Sequence, residues 1–307
     1  MEEKVLSIDG GSLACVPYKS GVSIKRFRGI GDLITIPENI DGLPVIAIEK
    51  KAFLSCKTVK KIVLPDTVME IGDWAFAHAD KLKTVVIPNH ELTRGKELFL
   101  GCKRLSEIIL SGTEEEIQKD HEDGIGRMLA AAVTVMHDYF LFNPVDVRTD
   151  EWVKRWDDKL TDLLKLDDLD GFEELWTCGE EDYEGKDYDI KSFPVEKRKM
   201  KLRLVYFRLL HPYKISDSVK DELKEYLAAH TKGTKEPEAW EIIIKEHPED
   251  IRYYEVFTDA GCVTDENFDE LLADMETVGA QAKAYMIRFQ EEHLTKKDAF
   301  SSFELDW

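Results

Sequence analysis

The sequence predicts an α+β protein with two parts, a short solenoid of parallel β coils that repeat every 23 residues, followed by an all-α part built of helical hairpins. Three observations support this prediction. An apolar phrase ending in proline recurs along residues 34–111, and from about residue 138 the apolar residues follow helical spacing. The net charge also changes sign between the two parts.

The repeat becomes visible when the prolines after the apolar phrase are aligned. Pro37, Pro65 and Pro88 share one column, and Ser111 takes that position in the last unit. Most columns repeat at 23 residues, whereas the first proline interval is 28 because of an insertion that includes Asp41-Gly42-Leu43-Pro44. Three further columns are Ala52-Phe53, Ala75-Phe76 and Leu98-Phe99; Cys56, Ala79 and Cys102; and Val59, Leu82 and Leu105. Such a repeat predicts stacking, because each coil can bury its apolar residues only against the next.

These columns resemble the BspA-like bacterial leucine-rich repeats, whose units read approximately I-x-I-P…I-x-x-x-A-F-x-x-C-x-x-L-x-x-I. One unit of this chain carries the pattern at Ile62, Leu64, Pro65, Ile71, Ala75, Phe76, Ala79, Leu82 and Val85. The resemblance covers about residues 20–112 and includes GIGDLITIPENIDGLPVIAI as the entry segment. It implies a leucine-rich-repeat domain over residues 1–112, of a kind that binds other proteins.

The last coil departs from the repeat. Glu91 and Arg94 stand where earlier coils have apolar residues, and Gly95-Lys96 replaces the usual turn, so we predict a distorted or capping coil. The end of a solenoid must be covered. Residues 113–137 are predicted to form a helical cap or connector, with its apolar face at Ile117, Ile125, Met128, Leu129, Ala132 and Val133.

The strands predict a candidate interaction surface. Because side chains alternate across a strand, inward-pointing Ile62 and Leu64 place Val63 on the outer face. The same position in neighbouring coils, about 4.8 Å apart, gives a row of Thr35, Val63, Val86 and Ile109. Contiguous exposed apolar surface marks interaction sites. The apolar outward row has two alternative explanations. The helical part covers the row, or β-branched residues occur there because they favour strands. The candidate partner-binding residues are Val63, Val86, Ile109, Lys61, Thr84 and Glu107.

Residues 138–307 are predicted to form an acidic helical domain. Phe268, Leu271 and Met275 follow helical spacing, Thr264 is the predicted N-cap, and a partner helix runs through Met286. Other predicted apolar helix faces are Leu160, Leu163 and Leu164; Phe172, Leu175 and Trp176; Met200, Leu204 and Phe207; Leu223, Tyr226 and Leu227; and Trp240, Ile243 and Ile244.

Part of this domain resembles degenerate ankyrin repeats. The stretch DAGCVTDENFDELLADMETVGAQAKAYMIRF carries the turn Ala-Gly-x-x-Thr-x-x-Asn between two helices. The resemblance is clearest over residues 250–293 and implies stacked helical hairpins that bind proteins. The helix start Thr-Pro-Leu-His of the family is missing, so the regular stacking of all the hairpins is not implied.

The charge is unevenly distributed. Residues 1–112 carry 16 Lys and Arg against 14 Asp and Glu, or +2, whereas residues 113–307 carry 26 against 48, or −22. Together these give the net charge of −20. Since a negative surface repels phosphate groups, nucleic acids and anionic membranes are not expected as partners of the helical part.

The sequence also predicts a cellular compartment. The start MEEKVLSIDGG has acids where a secretory signal needs bases, and no apolar run approaches the roughly 20 residues that span a bilayer. The five cysteines are odd in number and scattered, unlike a disulfide framework. We therefore predict a cytoplasmic protein with reduced thiols and no membrane insertion.

No motif points to catalysis, a metal or a cofactor. The acidic turns fail as EF-hand loops, because Leu166 or Lys191 would occupy ligand positions. The sequence contains no H-E-x-x-H, C-x-x-C, G-x-S-x-G or P-loop pattern. Cys178 and Cys262 lie near predicted helix C-termini, where the helix dipole raises a thiol pKa. We predict no enzyme activity.

The resulting hypothesis is a non-catalytic protein-protein interaction scaffold with an unknown partner. The alternative is a self-associating structural protein, a possible homodimer that uses the outward apolar row. An unrecognised hydrolase is the remote alternative.

Overall fold

The computed structural model describes residues 3–171, 191–276 and 278–294. The chain divides into two compact units, Met1–Lys159 and Leu160–Trp307. The predicted boundaries at residues 112 and 137 stay predictions. The segment around Phe172, Leu175, Trp176 and Cys178 lies outside the described residues.

The first unit begins with three antiparallel strands that lead into a sheet of parallel strands. This first sheet has the order β1-β2-β3-β6-β8-β10, and β5 pairs with β6. Its strands are β1 (Lys4–Ile8), β2 (Gly11–Tyr18), β3 (Gly21–Gly29), β5 (Asn39–Ile40), β6 (Leu43–Ile48), β8 (Glu70–Ile71) and β10 (Thr93–Arg94). The short antiparallel pair of β5 and β6 surrounds the predicted insertion at residues 41–44.

A second sheet runs beside the first along the solenoid. It contains β4 (Leu33–Thr35), β7 (Lys61–Val63), β9 (Thr84–Ile87) and β11 (Glu107–Leu110). All its pairs are parallel, in the order β11-β9-β7-β4. Residues 23 apart face each other in the β7–β9 and β9–β11 pairs, as Ile62 does Val85, and residues 28 apart face each other in the β4–β7 pair. The predicted fold class, a solenoid of parallel coils followed by helices, is confirmed.

The core of the first unit is a stack of equivalent side chains. Ile62, Leu64, Val85 and Ile87 are at most 2% exposed, as their predicted inward position requires. The phenylalanines of the Ala-Phe column form a ladder, which Phe27 extends at one end. Ring centroids are 5.6 Å apart for Phe27–Phe53, 5.6 Å for Phe53–Phe76 and 5.3 Å for Phe76–Phe99. Each coil therefore buries its aromatic ring against the next coil.

Two glycines allow the coils to approach each other. A Cβ atom on Gly95 would lie 2.2 Å from the backbone nitrogen of Asp73, and one on Gly72 would lie 2.5 Å from that of Lys50. Real Cβ atoms do not approach backbone this closely, so the turn after β8 and the turn after β10 require glycine. Gly95 belongs to the coil for which the sequence predicts distortion.

Helices follow the last strand. Helix α1 (Glu114–Asp123) starts with a capping box of Thr113 and Glu116, and α2 (Ile125–Thr134) packs against β11. A Cβ atom on Gly126 would lie 3.0 Å from the carbonyl oxygen of Ile108, so α2 lies directly on that strand. Residues of the predicted cap that are buried are Ile125, Met128, Leu129, Ala132 and Val133, whereas Ile117 is half-buried.

Arg94, the polar residue of the last coil, holds the chain that follows the cap. Its guanidinium donates to the carbonyl oxygens of Tyr139, at 2.9 Å, and Phe142, on either side of a 3₁₀ helix at Tyr139–Leu141. Helix α3 (Asp150–Lys165) runs from the first unit into the second, and Trp156 donates to the carbonyl oxygen of Met128 at 2.9 Å. The coil that breaks the apolar pattern thus binds a covering segment.

The second unit is helical in its described residues. After the end of α3 it contains α4 (Ser192–Leu210), α5 (Asp217–Ala229), α6 (Glu238–Glu246), α7 (Ile251–Asp259), α8 (Phe268–Asp274) and α9 (Ala280–His293). Two predicted helix faces are correct in part. In α4, Leu204 is buried as predicted and so are Leu202 and Val205, while Met200 and Phe207 are half-buried. In α6, Trp240 and Ile243 are buried as predicted, Ile242 is buried as well, and Ile244 is half-buried.

The hairpin of α8 and α9 exists, and α8 starts later than predicted. The N-cap of α8 is Asn267, three residues after the predicted Thr264. Thr264 caps the turn before the helix, because its side chain accepts the backbone N–H of Asn267 at 3.4 Å and its own backbone N–H donates to the Asn267 side chain at 2.9 Å. The Asn267 amide also donates to the carbonyl oxygens of Lys232 and Cys262. The ankyrin-like arrangement itself stays a prediction.

A buried ion network lies in the second unit. Arg198 on α4 donates to Glu238 at 2.6 Å, to Asp168 at 2.8 Å and to Glu236 at 3.0 Å. Lys201, 1% exposed, donates to Asp168 and to the carbonyl oxygen of Leu166, each at 2.6 Å. The network ties α4 to the turn after α3 and to the start of α6.

Candidate interaction surface

The candidate residues lie on the second sheet in two columns. Val63, Val86 and Ile109 face each other on β7, β9 and β11, and so do Lys61, Thr84 and Glu107. Because each strand alternates, these six positions share the outer face, whereas Ile62, Val85 and Ile108 between them are fully buried. The structure brings all six candidates together.

The outer row is only partly exposed. Val63, Val86 and Ile109 are half-buried, and Thr35 at the end of the row is exposed. Lys61 is exposed, and Thr84 is half-buried. The row is therefore a continuous apolar strip with a modest exposed area.

Glu107 already has a partner. Its carboxylate lies 3.1 Å from Nδ1 of His121 on α1. Its side chain also lies against α2, since a Cβ atom on Gly126 would meet Cγ of Glu107 at 2.9 Å. The helices after the solenoid thus approach the outer face at its β11 edge.

The sequence analysis missed the most exposed apolar residues near this face. Leu33 on β4 pairs with Lys61 and is 50% exposed, and Ile30, just before that strand, is 85% exposed. The repeat could have identified Leu33, since it occupies the column of Lys61, Thr84 and Glu107. Phe140, 74% exposed, lies 5.0 Å from the guanidinium of Arg155 and belongs to no repeat column.

An open groove of about 360 Å³ lies on the first sheet, away from these candidates. Its lining residues include Ser23, which donates to Glu49 at 2.5 Å, and Glu70, which accepts from Tyr18 at 2.7 Å. Hydrogen bonds from Lys19 and from Tyr18 lower the pKa of Glu70. This carboxylate is a paired anion, unlike a general base, whose pKa lies near the operating pH.

Three buried or half-buried cysteines of the described residues are weakly acidic thiols. Burial raises the pKa of Cys56 and of Cys102 to about 11, and that of Cys262 to about 12. The predicted direction for Cys262 is confirmed, and burial is the cause that raises its pKa; the contribution of the helix dipole stays a prediction. Cys178 lies outside the described residues.

Over residues 3–171, 191–276 and 278–294, no three His, Cys, Asp or Glu side chains lie together in a way that could hold a metal ion. Within the same ranges, no helix combines the length and the apolar character that crossing a bilayer requires.

Three solved structures are similar to part of the chain. A leucine rich cell surface protein from Faecalibacterium prausnitzii is 24% identical, with a TM-score of 0.28, over 36% of this chain and 31% of its own. The leucine rich repeat protein of T. pallidum is 26% identical, with a TM-score of 0.27, over 36% of this chain and 65% of its own. A leucine-rich repeat protein from Bacteroides ovatus is 27% identical, with a TM-score of 0.28, over 34% of this chain and 29% of its own. The chain spans less than two thirds of each.

The comparison with curated proteins gives no match, whereas a protein-family model matches the solenoid. The model described as the BspA type leucine rich repeat region matches residues 32–121, which contain the second sheet and its coils. Residues 32–121 are therefore a region of BspA-type leucine-rich repeats, and helices follow it in the chain.

Proposed function

We propose that the protein is a non-catalytic interaction scaffold that binds a partner protein through the outer face of the second sheet. Leucine-rich repeats generally mediate binding between proteins. The observation that carries the proposal is the aligned row of Val63, Val86 and Ile109, which offers an apolar strip across three neighbouring coils. Lys61, Thr84 and Glu107 flank the strip.

The size of the strip sets a requirement on the partner. A stable interface buries about 800 Å² on each side. Three coils spaced about 4.8 Å apart offer less than this along one row. The partner must therefore also contact neighbouring residues, and exposed Leu33, which pairs with Lys61, extends the apolar surface on the side of β4.

Binding of intact chains tests this proposal. The variant Val63→Ser/Val86→Ser removes apolar surface from the strip without adding charge. Its matched control, Val5→Ser/Leu54→Ser, changes two apolar side chains that are 63% and 38% exposed elsewhere on the first unit. We expect affinity capture with the wild type and with the control to recover the same proteins from the native host. Capture with the strip variant should not recover them. Equal binding by both variants would contradict the proposal.

Self-association through the same strip is the second candidate. A row of half-buried β-branched residues can meet its own copy, because strands of two identical sheets carry the same apolar face. Sedimentation velocity over a range of concentrations separates the candidates. A dimer that Val86→Lys abolishes supports self-association, whereas a monomer at all concentrations supports a separate partner.

The cytoplasmic location belongs to the same proposal. The Faecalibacterium prausnitzii protein, in contrast, is named a cell surface protein. Labelling of intact host cells with a membrane-impermeant amine reagent distinguishes the two locations, since lysines such as Lys61 and Lys81 are exposed. Labelling only after lysis supports the cytoplasm, and labelling of intact cells contradicts it.

A further inference from the structure

Exposed cations are concentrated where the chain enters the strands of the second sheet. They belong to the segments 57–61, 80–83 and 103–107, one in each of three neighbouring coils. We call them the basic ridge, which consists of Lys57, Lys60, Lys61, Lys81, Lys83, Lys103 and Arg104. All seven are exposed.

The coil spacing stacks like charges in the ridge. Lys83 donates its backbone N–H to the carbonyl oxygen of Lys60 at 2.8 Å, so these two lysines lie in adjacent coils. Lys81 and Arg104 are likewise 23 residues apart, in equivalent positions of adjacent coils. The coil spacing therefore places exposed cations at equivalent positions of adjacent coils, and the carboxylates of an acidic partner would offset this local positive charge.

Acidic residues of the chain neutralise only part of the ridge. Asp80 pairs with Lys57 at 3.3 Å and Asp32 pairs with Lys60 at 3.1 Å. In the part of the chain that the structure describes, the remaining five ridge residues form no ion pair: Lys61, Lys81, Lys83, Lys103 and Arg104. Glu107, the acid nearest in sequence to Lys103 and Arg104, is 3.1 Å from His121.

The ridge borders the apolar strip. Lys61 precedes Val63 by two residues on β7, so the two side chains share the outer face. An apolar strip with a charged border has the make-up of a protein interface, in which the rim charges select the partner and steer its approach. The local positive charge also stands out in a chain of net charge −20.

We propose that the partner of the second sheet is an acidic protein segment, whose apolar side chains contact the strip while its carboxylates contact the basic ridge. This inference rests on the proposed function and specifies its partner. Nucleic acid fits less well, because the apolar strip beside the basic ridge has no role in binding a phosphate backbone.

Peptide probes test the ridge directly on the full-length protein. Fluorescence anisotropy follows three labelled probes: a 16-residue peptide of repeated Glu-Val-Asp-Leu, its counterpart of repeated Lys-Val-Arg-Leu, and a 16-nucleotide single-stranded DNA. We expect only the acidic peptide to bind. Because ionic contacts are screened by salt, its Kd should rise about tenfold between 50 and 300 mM NaCl.

Charge reversal identifies where the peptide binds. The ridge variant is Lys81→Glu/Lys83→Glu/Arg104→Glu, and the control is Arg26→Glu/Arg28→Glu/Lys96→Glu, three exposed cations outside the second sheet. Both variants change the net charge equally. The ridge variant should weaken binding of the acidic peptide about tenfold or more, and the control less than about twofold.

Four results would overturn the inference. They are absence of binding by the acidic peptide, an equal loss in both variants, tighter binding of the DNA, and a dimer at low salt that only the ridge variant abolishes. The last of these would identify a second copy as the occupant. If the ridge variant keeps the captured host partner that Val63→Ser/Val86→Ser loses, the proposed function stands and the acidic partner does not. If both keep it, the proposed function fails.

Discussion

The two units of the chain are stabilised in different ways. In the solenoid, Phe53, Phe76 and Phe99 make the same contact in successive coils, at 5.3 to 5.6 Å between ring centroids. In the helical unit, Arg198 makes three different ion pairs with residues from separate segments. Repeated contacts leave a period in the sequence, whereas contacts that occur once leave none. The sequence therefore predicts the packing of the solenoid, but it predicts the packing of the helical unit much less completely.

The largest expected effect comes from breaking the repeated contact. Phe76→Ala removes a fully buried ring from the middle of the ladder and should lower the free energy of unfolding by about 4 kcal/mol. Hydrogen exchange read by mass spectrometry should lose protection in peptides of the first unit. Phe140→Ala is the control, because that ring is 74% exposed. A loss below about 1 kcal/mol for Phe76→Ala would mean that the ladder is not the core.

Breaking the unique contact should cost somewhat less. Arg198→Met leaves buried Glu238 without its cation, and removing one member of a buried pair costs about 3 kcal/mol or more. Protection should fall in peptides of the second unit. Glu238→Gln added to Arg198→Met should restore part of the stability. Arg252→Met, at an exposed pair with Asp250, is the control. If the single and double variants are equally stable, the network does not hold the unit together.

A smaller effect tests how closely the coils approach. Gly95→Ala places Cβ against the backbone of Asp73 and should cost about 2 kcal/mol, measured by urea denaturation. Gly112→Ala is the matched control, because its Cβ would meet only the flexible Glu116 side chain. Equal stability of the two variants would show that the last coil is looser than the structure indicates.

The smallest effect concerns a surface pair of the helical unit. Arg203 donates two hydrogen bonds to Glu246, at 2.7 and 2.9 Å, and these lower the pKa of that carboxyl group. A lowered pKa in the folded state stabilises the protein above the unfolded pKa, and this stability is lost as the pH falls through the folded value. Glu246→Gln should cost about 0.5 kcal/mol at pH 7.

The pH dependence checks the cause of that small effect. The difference between wild type and Glu246→Gln should be constant from pH 7 to about pH 5 and shrink below about pH 4.3. Urea denaturation at several pH values measures it. A difference that persists unchanged into acid would assign the effect to packing and not to the charge of Glu246.

The candidate surface illustrates what a repeat can and cannot predict. Spacing was enough to align Val63, Val86 and Ile109 on one face, and their pairing is confirmed by the sheet register. Their partial burial was not predicted, because it depends on how the surrounding side chains pack in three dimensions. The contact of Glu107 with His121 was also not predicted, since it joins the solenoid to a helix outside the repeat.

The helical unit was predicted less completely than the solenoid. Spacing located its helices and identified Leu204, Trp240 and Ile243 as buried, but not Leu202 and Ile242, because burial also depends on neighbours distant in the sequence. The N-cap of α8 lies at Asn267, three residues after the predicted Thr264.

By itself, the sequence determined the coil period, the inward and outward positions of the strands and the acidic character of the second part, because these follow from local alternation and composition. The structure was needed to show that Arg94 binds the segment after the cap, that Arg198 joins three carboxylates, and that five ridge cations form no ion pair with any residue that the structure describes. Those outcomes depend on which unrelated segments meet in space, and no period in the chain encodes that.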